Sequence, residues 1–289
     1  MSALLDFYAK HSRLIDQIGV NAILALSLSV SLQAGQLALA QAAFMGIAAY
    51  VSAILAMSYH WPLLATIIAA ALVSTVVAAV LALPVQRLRG VFLAIATIGF
   101  GEIVRVFANN LKITGGAEGL SGIPNDATTP VIYGALVLVA LALFVLSRTK
   151  FALAVALVRE DEHAARGVGI DVGRVRTLSL AVGGAIAGIA GALYAHASFF
   201  ITPNDFGFAR MEQILVWCVV GGVTSPLGAV VGATLLSVLP EAIRFMADYR
   251  EITNGVILLA VILFAPGGLA SLWRVRRSGA RRGAVRVNV

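Results

Sequence analysis

Apolar runs close to 20 residues long recur along the chain, each closed by a short cluster of polar, glycine or proline residues. They fall at residues 14–32, 43–59, 62–84, 90–110, 131–146, 177–196, 211–223, 227–245 and 252–265. A helix of about 20 apolar residues crosses the hydrocarbon core of a bilayer and satisfies its own backbone hydrogen bonds there. An outer-membrane barrel would instead show shorter segments of alternating polarity. The pattern predicts an all-α, polytopic inner-membrane protein with about nine crossings, in a range of eight to ten.

The polar interruptions carry most of the information. Gln33, Gly35, Gln36 and Gln41 break up the stretch between the first two runs. Amides inside a membrane need internal partners, so they either line a polar pathway or pair between helices. Residues 34–42 are expected to form a re-entrant or broken half-helix. Glu102 and Arg105 stand three apart on one helix face and can neutralise each other. A structural pair near the interface and a proton relay both fit that spacing. Gly184 and Gly188 form a small-xxx-small pair, a signal for close helix packing rather than chemistry. Gly221-Gly222 and Ser225-Pro226 break the helix between two runs. Broken backbone at that depth is tolerated only against protein or a water-lined cavity.

One charged segment separates the apolar blocks, at residues 150–176. If residues 157–168 are helical, Leu157, Ala164 and Val168 share one side, interrupted by Asp161. Arg159, Glu162, His163 and Arg166 share the other. Glu162 precedes Arg166 by four residues, the better orientation for a helical ion pair. Gly167 and Gly169 offer a C-terminal stop. Such a helix either docks a soluble partner or is a solvated loop between spans.

Composition narrows the class. The chain is 60% hydrophobic and 12% charged, against about 25% charged in soluble domains. No soluble domain has room to exist, so residues 1–289 are expected to form a single transmembrane domain. The net charge of +7 is concentrated. Arg274, Arg276, Arg277, Arg281, Arg282 and Arg286 lie in a tail at 270–289, and Arg148, Lys150, Arg159, Arg166, Arg174 and Arg176 lie in or beside the central loop. With Arg87 and Arg89 these make fourteen of the 21 cations, all placed in the cytoplasm by the positive-inside rule. The C-terminus is therefore expected to be cytoplasmic. Lipid headgroups account for such arginines without nucleic acid. An odd number of crossings puts the N-terminus outside, against the weaker signal of Lys10 and Arg13. The loops at 111–130 and 199–208 are then external.

Cys218 is the only cysteine, so an intrachain disulfide is excluded. His11, His60, His163 and His196 are scattered, with no metal-ligand spacing. Ala38-Leu39-Ala40 has the form of a signal-peptidase site, but the apolar block before it is too long and further spans follow. Lys10, Lys112 and Lys150 are the only lysines and none follows a glycine, so no phosphate-binding loop is present.

Six segments, read in order, resemble one family. They are 35–50 (GQLALAQAAFMGIAAY), 87–103 (RLRGVFLAIATIGFGEI), 113–124 (ITGGAEGLSGIP), 158–196 (from VREDEHAARGVGIDVGRVR to AGIAGALYAH), 221–233 (GGVTSPLGAVVGA) and 264–269 (FAPGGL). The chain resembles the membrane permease subunit of branched-chain amino acid ATP-binding cassette importers. Two departures are visible: Leu39-Ala40-Gln41 where members often have Ser-Leu-Gly, and Val91-Phe92 after the Arg-Leu-Arg-Gly turn. The resemblance implies a permease that is not itself an enzyme. It would pair with a second, similar permease subunit, two cytoplasmic ATPase subunits and an external binding protein. ATP and Mg would be held by the ATPase chains, with no cofactor here.

The resemblance further implies that residues 159–169, with Arg159, Glu160, Glu162, His163, Arg166, Gly167 and Gly169, form a cytoplasmic coupling helix seated in a groove on the ATPase. Gln33, Gln36, Gln41, Gly221 and Gly222 would belong to the translocation path. Leucine, isoleucine and valine are the expected solutes, with urea, amides and aromatic or other amino acids as alternatives. An ion-coupled secondary transporter would need ionisable groups at mid-membrane, whereas the acids here lie near span ends. A non-transporting scaffold is the remaining rival.

Overall fold

A computed structural model describes residues 2–223 and 225–242, with side chains placed from 13 to 239 apart from that of 224. Among the described residues the apolar runs and the charged segment form ten α-helices. These are α1 (Ser2–Gln33), α2 (Gln41–Tyr59), α3 (Leu63–Val85), α4 (Gly90–Asn110), α5 (Thr129–Leu146), α6 (Lys150–Glu160), α7 (Glu162–Gly167), α8 (Val172–Ser198), α9 (Phe208–Gly221) and α10 (Pro226–Ala242). Among the described residues six helices are long and apolar enough to cross a membrane: α1 from Arg13, then α2, α3, α4, α5 and α8. The chain is a multi-pass helical membrane protein.

Helix α8 is the axis. Of its apolar window 72% is buried, against 11% for α5. Its glycines explain why. A Cβ on Gly188 would stand 2.8 Å from the Ala71 Cα, and one on Gly183 would stand 2.9 Å from the Ser27 carbonyl oxygen. One on Gly184 would collide with Ala78, and one on Gly191 with the Met45 carbonyl. Bare backbone thus lets α1, α2 and α3 all approach α8 closely. In lipid that closeness is the main source of helix–helix attraction. From α3 the answering residues are Ala70, Ser74, Ala78 and Ala82, one per turn and all buried. Ser74 Oγ donates to the Gly184 carbonyl oxygen at 2.7 Å. The opposite face of α3 carries Leu64, Ile68, Leu72, Val76, Val80 and Leu83, all exposed.

Two breaks depart from continuous spans. After α1 the chain turns at Ala34 and Gly35 and runs without helix to Ala40. Residues 34–42 were expected to hold a half-helix; instead helix resumes only at Gln41. The cause is the left-handed turn at Gly35 (φ +70°), which ends α1. Leu39 N–H then donates to Thr97 Oγ1 at 2.8 Å, so the non-helical segment is tied to α4 rather than coiled on itself. The second break, at Gly222 (φ +112°), separates α9 from α10. These have 14 and 17 residues and are bent by 118°. At 1.5 Å per residue α9 covers about 21 Å, short of the ~30 Å core. The runs at 211–223 and 227–245 therefore form a bent pair, which counts as one broken span or a re-entrant loop. The described residues then hold six or up to seven crossings. The expected run at 252–265 and the arginine tail lie outside the described residues, so the expectation of nine is neither met nor refuted by them.

The bundle has two distinguishable ends. One carries the turn between α3 and α4 together with α6, α7 and the start of α8. The other carries a two-stranded antiparallel sheet, β1 (Leu120–Ser121) against β2 (Phe200–Ile201), with Leu120 opposite Ile201. That pairing brings the 111–128 loop and the turn after α8 together at the end away from α7. The sequence reading likewise puts both loops on one side.

Candidate functional site

Sequence pattern treated residues 157–168 as one helix; the structure divides them. Asp161 adopts an extended conformation (φ −152°, ψ 111°) and starts a new helix. Its Oδ1 accepts from His163 N–H at 2.7 Å and Ala164 N–H at 3.1 Å. Those two bonds favour the ionised carboxylate and hold its pKa below the usual aspartate value. Asp171 caps α8 in the same way, accepting from Arg174 N–H at 3.0 Å.

The restart rotates the register, so the predicted faces are wrong. Leu157 and Val168, expected to share an apolar side, are 39% and 71% exposed. The buried side is Val158 and Ala165, which pack with Val172 and Val175 of α8. Phe151, Val155 and Ile170 close this small cluster. It is an apolar foot that holds α6 and α7 on the start of α8.

The charged face changes too. Glu162 was placed with Arg159, His163 and Arg166 on an outward face, yet its side chain is 12% exposed. Its Oε1 accepts from Arg166 at 2.6 Å, the expected pair one turn on. Its Oε2 meets Arg89 at 3.0 Å and Arg176 at 3.3 Å. Sequence spacing could reveal only the first, because Arg89 comes from the α3–α4 turn. Arg176 also donates to the Gln86 carbonyl oxygen of that turn at 3.3 Å. Arg159, Glu160, His163 and Gly167 remain exposed, as does Arg166, which is 55% exposed. Gly169 takes the left-handed conformation (φ +83°) and Ile170 N–H bonds back to the Ala165 carbonyl at 3.0 Å, the predicted C-terminal stop.

The amides gather at the first break. Gln36 and Gln41 are 3% and 1% exposed, while Gln33 is half-buried. Gln41 Nε2 donates to Ser31 Oγ at 3.2 Å, the helix-to-helix pairing reading of the sequence. The Oε1 atoms of Gln36 and Gln41 have no protein partner. Gly35 brings this break against α6: a Cβ there would stand 3.6 Å from the Arg159 Cα. The charged knuckle and the broken segment, with Gly35 and Arg159 124 residues apart in sequence, thus touch. No described hydrogen bond joins Gly221 or Gly222 to the amides. Gly221 lies against the backbone of Gly228, where any side chain would collide, so it serves the bend of the α9–α10 pair. A small cleft between α2, α4 and α9 is lined by Leu39, Ile98, Glu102, Phe206, Phe208 and Met211. Glu102 there pairs with Arg105 at 2.8 Å, as its spacing implies.

The sequence model of the family described as "Branched-chain amino acid transport system / permease component" matches residues 12–266. The chain belongs to that family. The permease is 33% identical to the high-affinity branched-chain amino acid transport system permease protein LivM of Salmonella typhimurium strain LT2, over 92% of this chain and 70% of the relative. It is 32% identical to LivM of Escherichia coli strain K12 over the same shares. A more distant relative is the autoinducer 2 import system permease protein LsrC of Escherichia coli strain SMS-3-5, 27% identical over 59% of this chain and 54% of that one. No solved structure matches the permease.

His196 is a site the sequence did not signal. It is fully buried, with Nδ1 2.9 Å from the Pro124 carbonyl oxygen and Nε2 3.1 Å from Ser52 Oγ. The carbonyl can only accept, so Nδ1 carries the proton and Nε2 accepts from the serine. Its partners lie 72 and 144 residues away, beyond any local pattern.

Proposed function

We propose that this chain, as one transmembrane domain of an inner-membrane importer, forms part of the path for leucine, isoleucine and valine. The similarity to LivM along 92% of the chain is the observation that carries the substrate class. In this reading an external binding protein delivers the solute and a second, similar permease subunit completes the path. Two cytoplasmic ATPase subunits bind ATP and Mg and drive the cycle. The knuckle docks on an ATPase subunit through Arg159 and Glu160 at the end of α6 and His163 and Arg166 of α7. The α7 end and the C-terminus are then cytoplasmic, the sheet end external, and the run at 252–265 adds one span to the six or seven described.

Alternating access follows from the contacts of the knuckle. It rests on the α3–α4 turn, on the start of α8 and, through Arg159, on the break at Gly35. A push on α7 reaches the non-helical segment that carries Gln36 and Gln41. Broken backbone can change shape without breaking a helical ladder, and its unpartnered amide oxygens offer hydrogen bonds to a passing ammonium group. The bend at Gly221 and Gly222 supplies a second deformable point.

The test is ATP-dependent uptake into vesicles holding all subunits, across leucine, isoleucine, valine, urea, short amides and aromatic acids. Saturable uptake of the three branched-chain amino acids, abolished without ATP, is expected. Uptake that persists without the ATPase chains would favour an ion-coupled transporter. Transport confined to another solute of the panel would correct the substrate class. Reversing the charges of Arg159 and Arg166 together should leave insertion intact and uncouple hydrolysis from uptake.

A further inference from the structure

We propose that Glu162 is a positioning residue: it ties the exposed knuckle to the α3–α4 turn and to the first turns of α8, so that these move with α7. The proposal rests on the reading of α7 as the docking element and adds the means of transmission.

Three observations carry it. First, the carboxylate faces into the protein. It is 12% exposed, while Val168, the residue that caps the same short helix, is 71% exposed. Second, its three guanidinium partners come from three elements: Arg166 from α7, Arg89 from the α3–α4 turn and Arg176 from α8. Arg176 is itself 12% exposed and also holds the Gln86 carbonyl, closing a triangle between α7, α8 and the turn. Gly173 leaves room for the turn, since a Cβ there would stand 2.7 Å from Gln86 Oε1. Third, the apolar foot does not make this connection. Val158, Ala165, Val172 and Val175, with the residues packed on them, come from α6, α7, α8 and the link before α8, and none comes from α3 or α4. The described contacts from α7 to the turn are therefore polar and converge on Glu162.

Charge centres the tie on Glu162. One carboxylate meets three guanidinium groups, so the cluster carries a local excess of two positive charges. Two nearby acids are engaged elsewhere, since Asp171 pairs with Arg174 at 3.0 Å and Asp161 caps α7. Without Glu162 the three arginines have no shared anion and repel one another. The link from α7 to the turn is then lost, while Arg176 of α8 still reaches the Gln86 carbonyl.

The experiment uses the complete importer in proteoliposomes and reads uptake and ATP hydrolysis separately. It compares Glu162→Gln, Glu162→Asp, Arg89→Ala and the double variant Glu162→Gln/Arg89→Ala. Each also carries Val168→Cys, which reports docking by thiol cross-linking to the ATPase. Glu162→Gln and Arg89→Ala should each lower uptake per ATP hydrolysed by about tenfold, a usual size for coupling between sites. Cross-linking at 168 should persist. The double variant should be no worse than Glu162→Gln, because both remove one connection, and Glu162→Asp should keep part of the coupling. A wild-type ratio in Glu162→Gln, or additive losses in the double variant, overturns the tie. Loss of cross-linking in Glu162→Gln alone overturns it too, by making Glu162 part of the docking surface. Absence of cross-linking in the Val168→Cys parent removes the docking reading itself, and the tie with it.

Discussion

At the α7 end, one carboxylate gathers three arginines that are 12% to 58% exposed. At the sheet end, His196 sits fully buried between Ser52 and the Pro124 carbonyl, and β1 pairs with β2. Both clusters join segments far apart in sequence, but by different chemistry. Ion pairs at a wet surface exchange partners and water at little cost, and salt screens them. A buried neutral hydrogen bond has no substitute, and losing one partner leaves the other unsatisfied. The contrast assigns rigidity to the sheet end and adjustability to the α7 end, the arrangement required if motion starts at α7.

The largest effect should come from breaking the stiff end. His196→Leu removes the donor to Pro124 and the acceptor from Ser52, stranding both in an apolar surrounding. A loss of about 2–4 kcal/mol is expected, read as a lowered melting temperature in detergent. Uptake per folded molecule should stay near wild type. A variant with normal melting but no uptake would reverse the assignment of roles. Next in size is salt. Raising ionic strength from about 0.1 to 1 M shortens the screening length from roughly 10 to 3 Å. Backbone hydrogen exchange in α6 and α7 should then quicken severalfold, while residues 196–201 stay unchanged. Equal response at both ends would dissolve the distinction.

What the sequence revealed follows the same division. Spacing within one helix is legible: the Glu102–Arg105 and Glu162–Arg166 pairs, the Gly184 and Gly188 stripe and the stop at Gly169 all stand where pattern put them. Contacts that need the fold are not. Nothing local announces that Arg89 and Arg176 meet Glu162, or that His196 meets Ser52. The apolar face of the knuckle failed for a local reason. Asp161 was counted as a charge on a helix, when its short side chain makes it a cap that restarts the helix. The 34–42 stretch was legible as a break but not as the non-helical segment at 36–40, because the tie of Leu39 to Thr97 lies 58 residues away.

A smaller effect belongs to Asp161. Its carboxylate is held below the usual pKa by two backbone N–H groups, so the cap contributes stability above the unfolded value and loses it as pH falls through the folded one. Exchange protection of α7 should be flat from about pH 8 to 5 and fall only below about 4. Asp161→Ala should reproduce the acid behaviour at neutral pH, while residues 196–201 do not respond.

The smallest effect should come from the Glu102–Arg105 pair, a charged contact beyond the α7 end. Its side chains are 38% and 31% exposed, it lies within one helix, and it joins nothing distant except through Arg105 to Asn204 at 3.2 Å. Screening and side-chain entropy leave such a pair about 0–1 kcal/mol. Glu102→Gln should therefore shift the melting temperature hardly at all. Arg105→Ala should cost somewhat more, since it also loses Asn204 and the packing of its Cδ against Gly207. If Glu102→Gln instead uncouples transport as strongly as Glu162→Gln, convergence of three elements on one carboxylate is not what distinguishes the α7 end. Charge alone would then have to explain both, and the pair lining the cleft beside Leu39 and Phe206 would act on the solute directly.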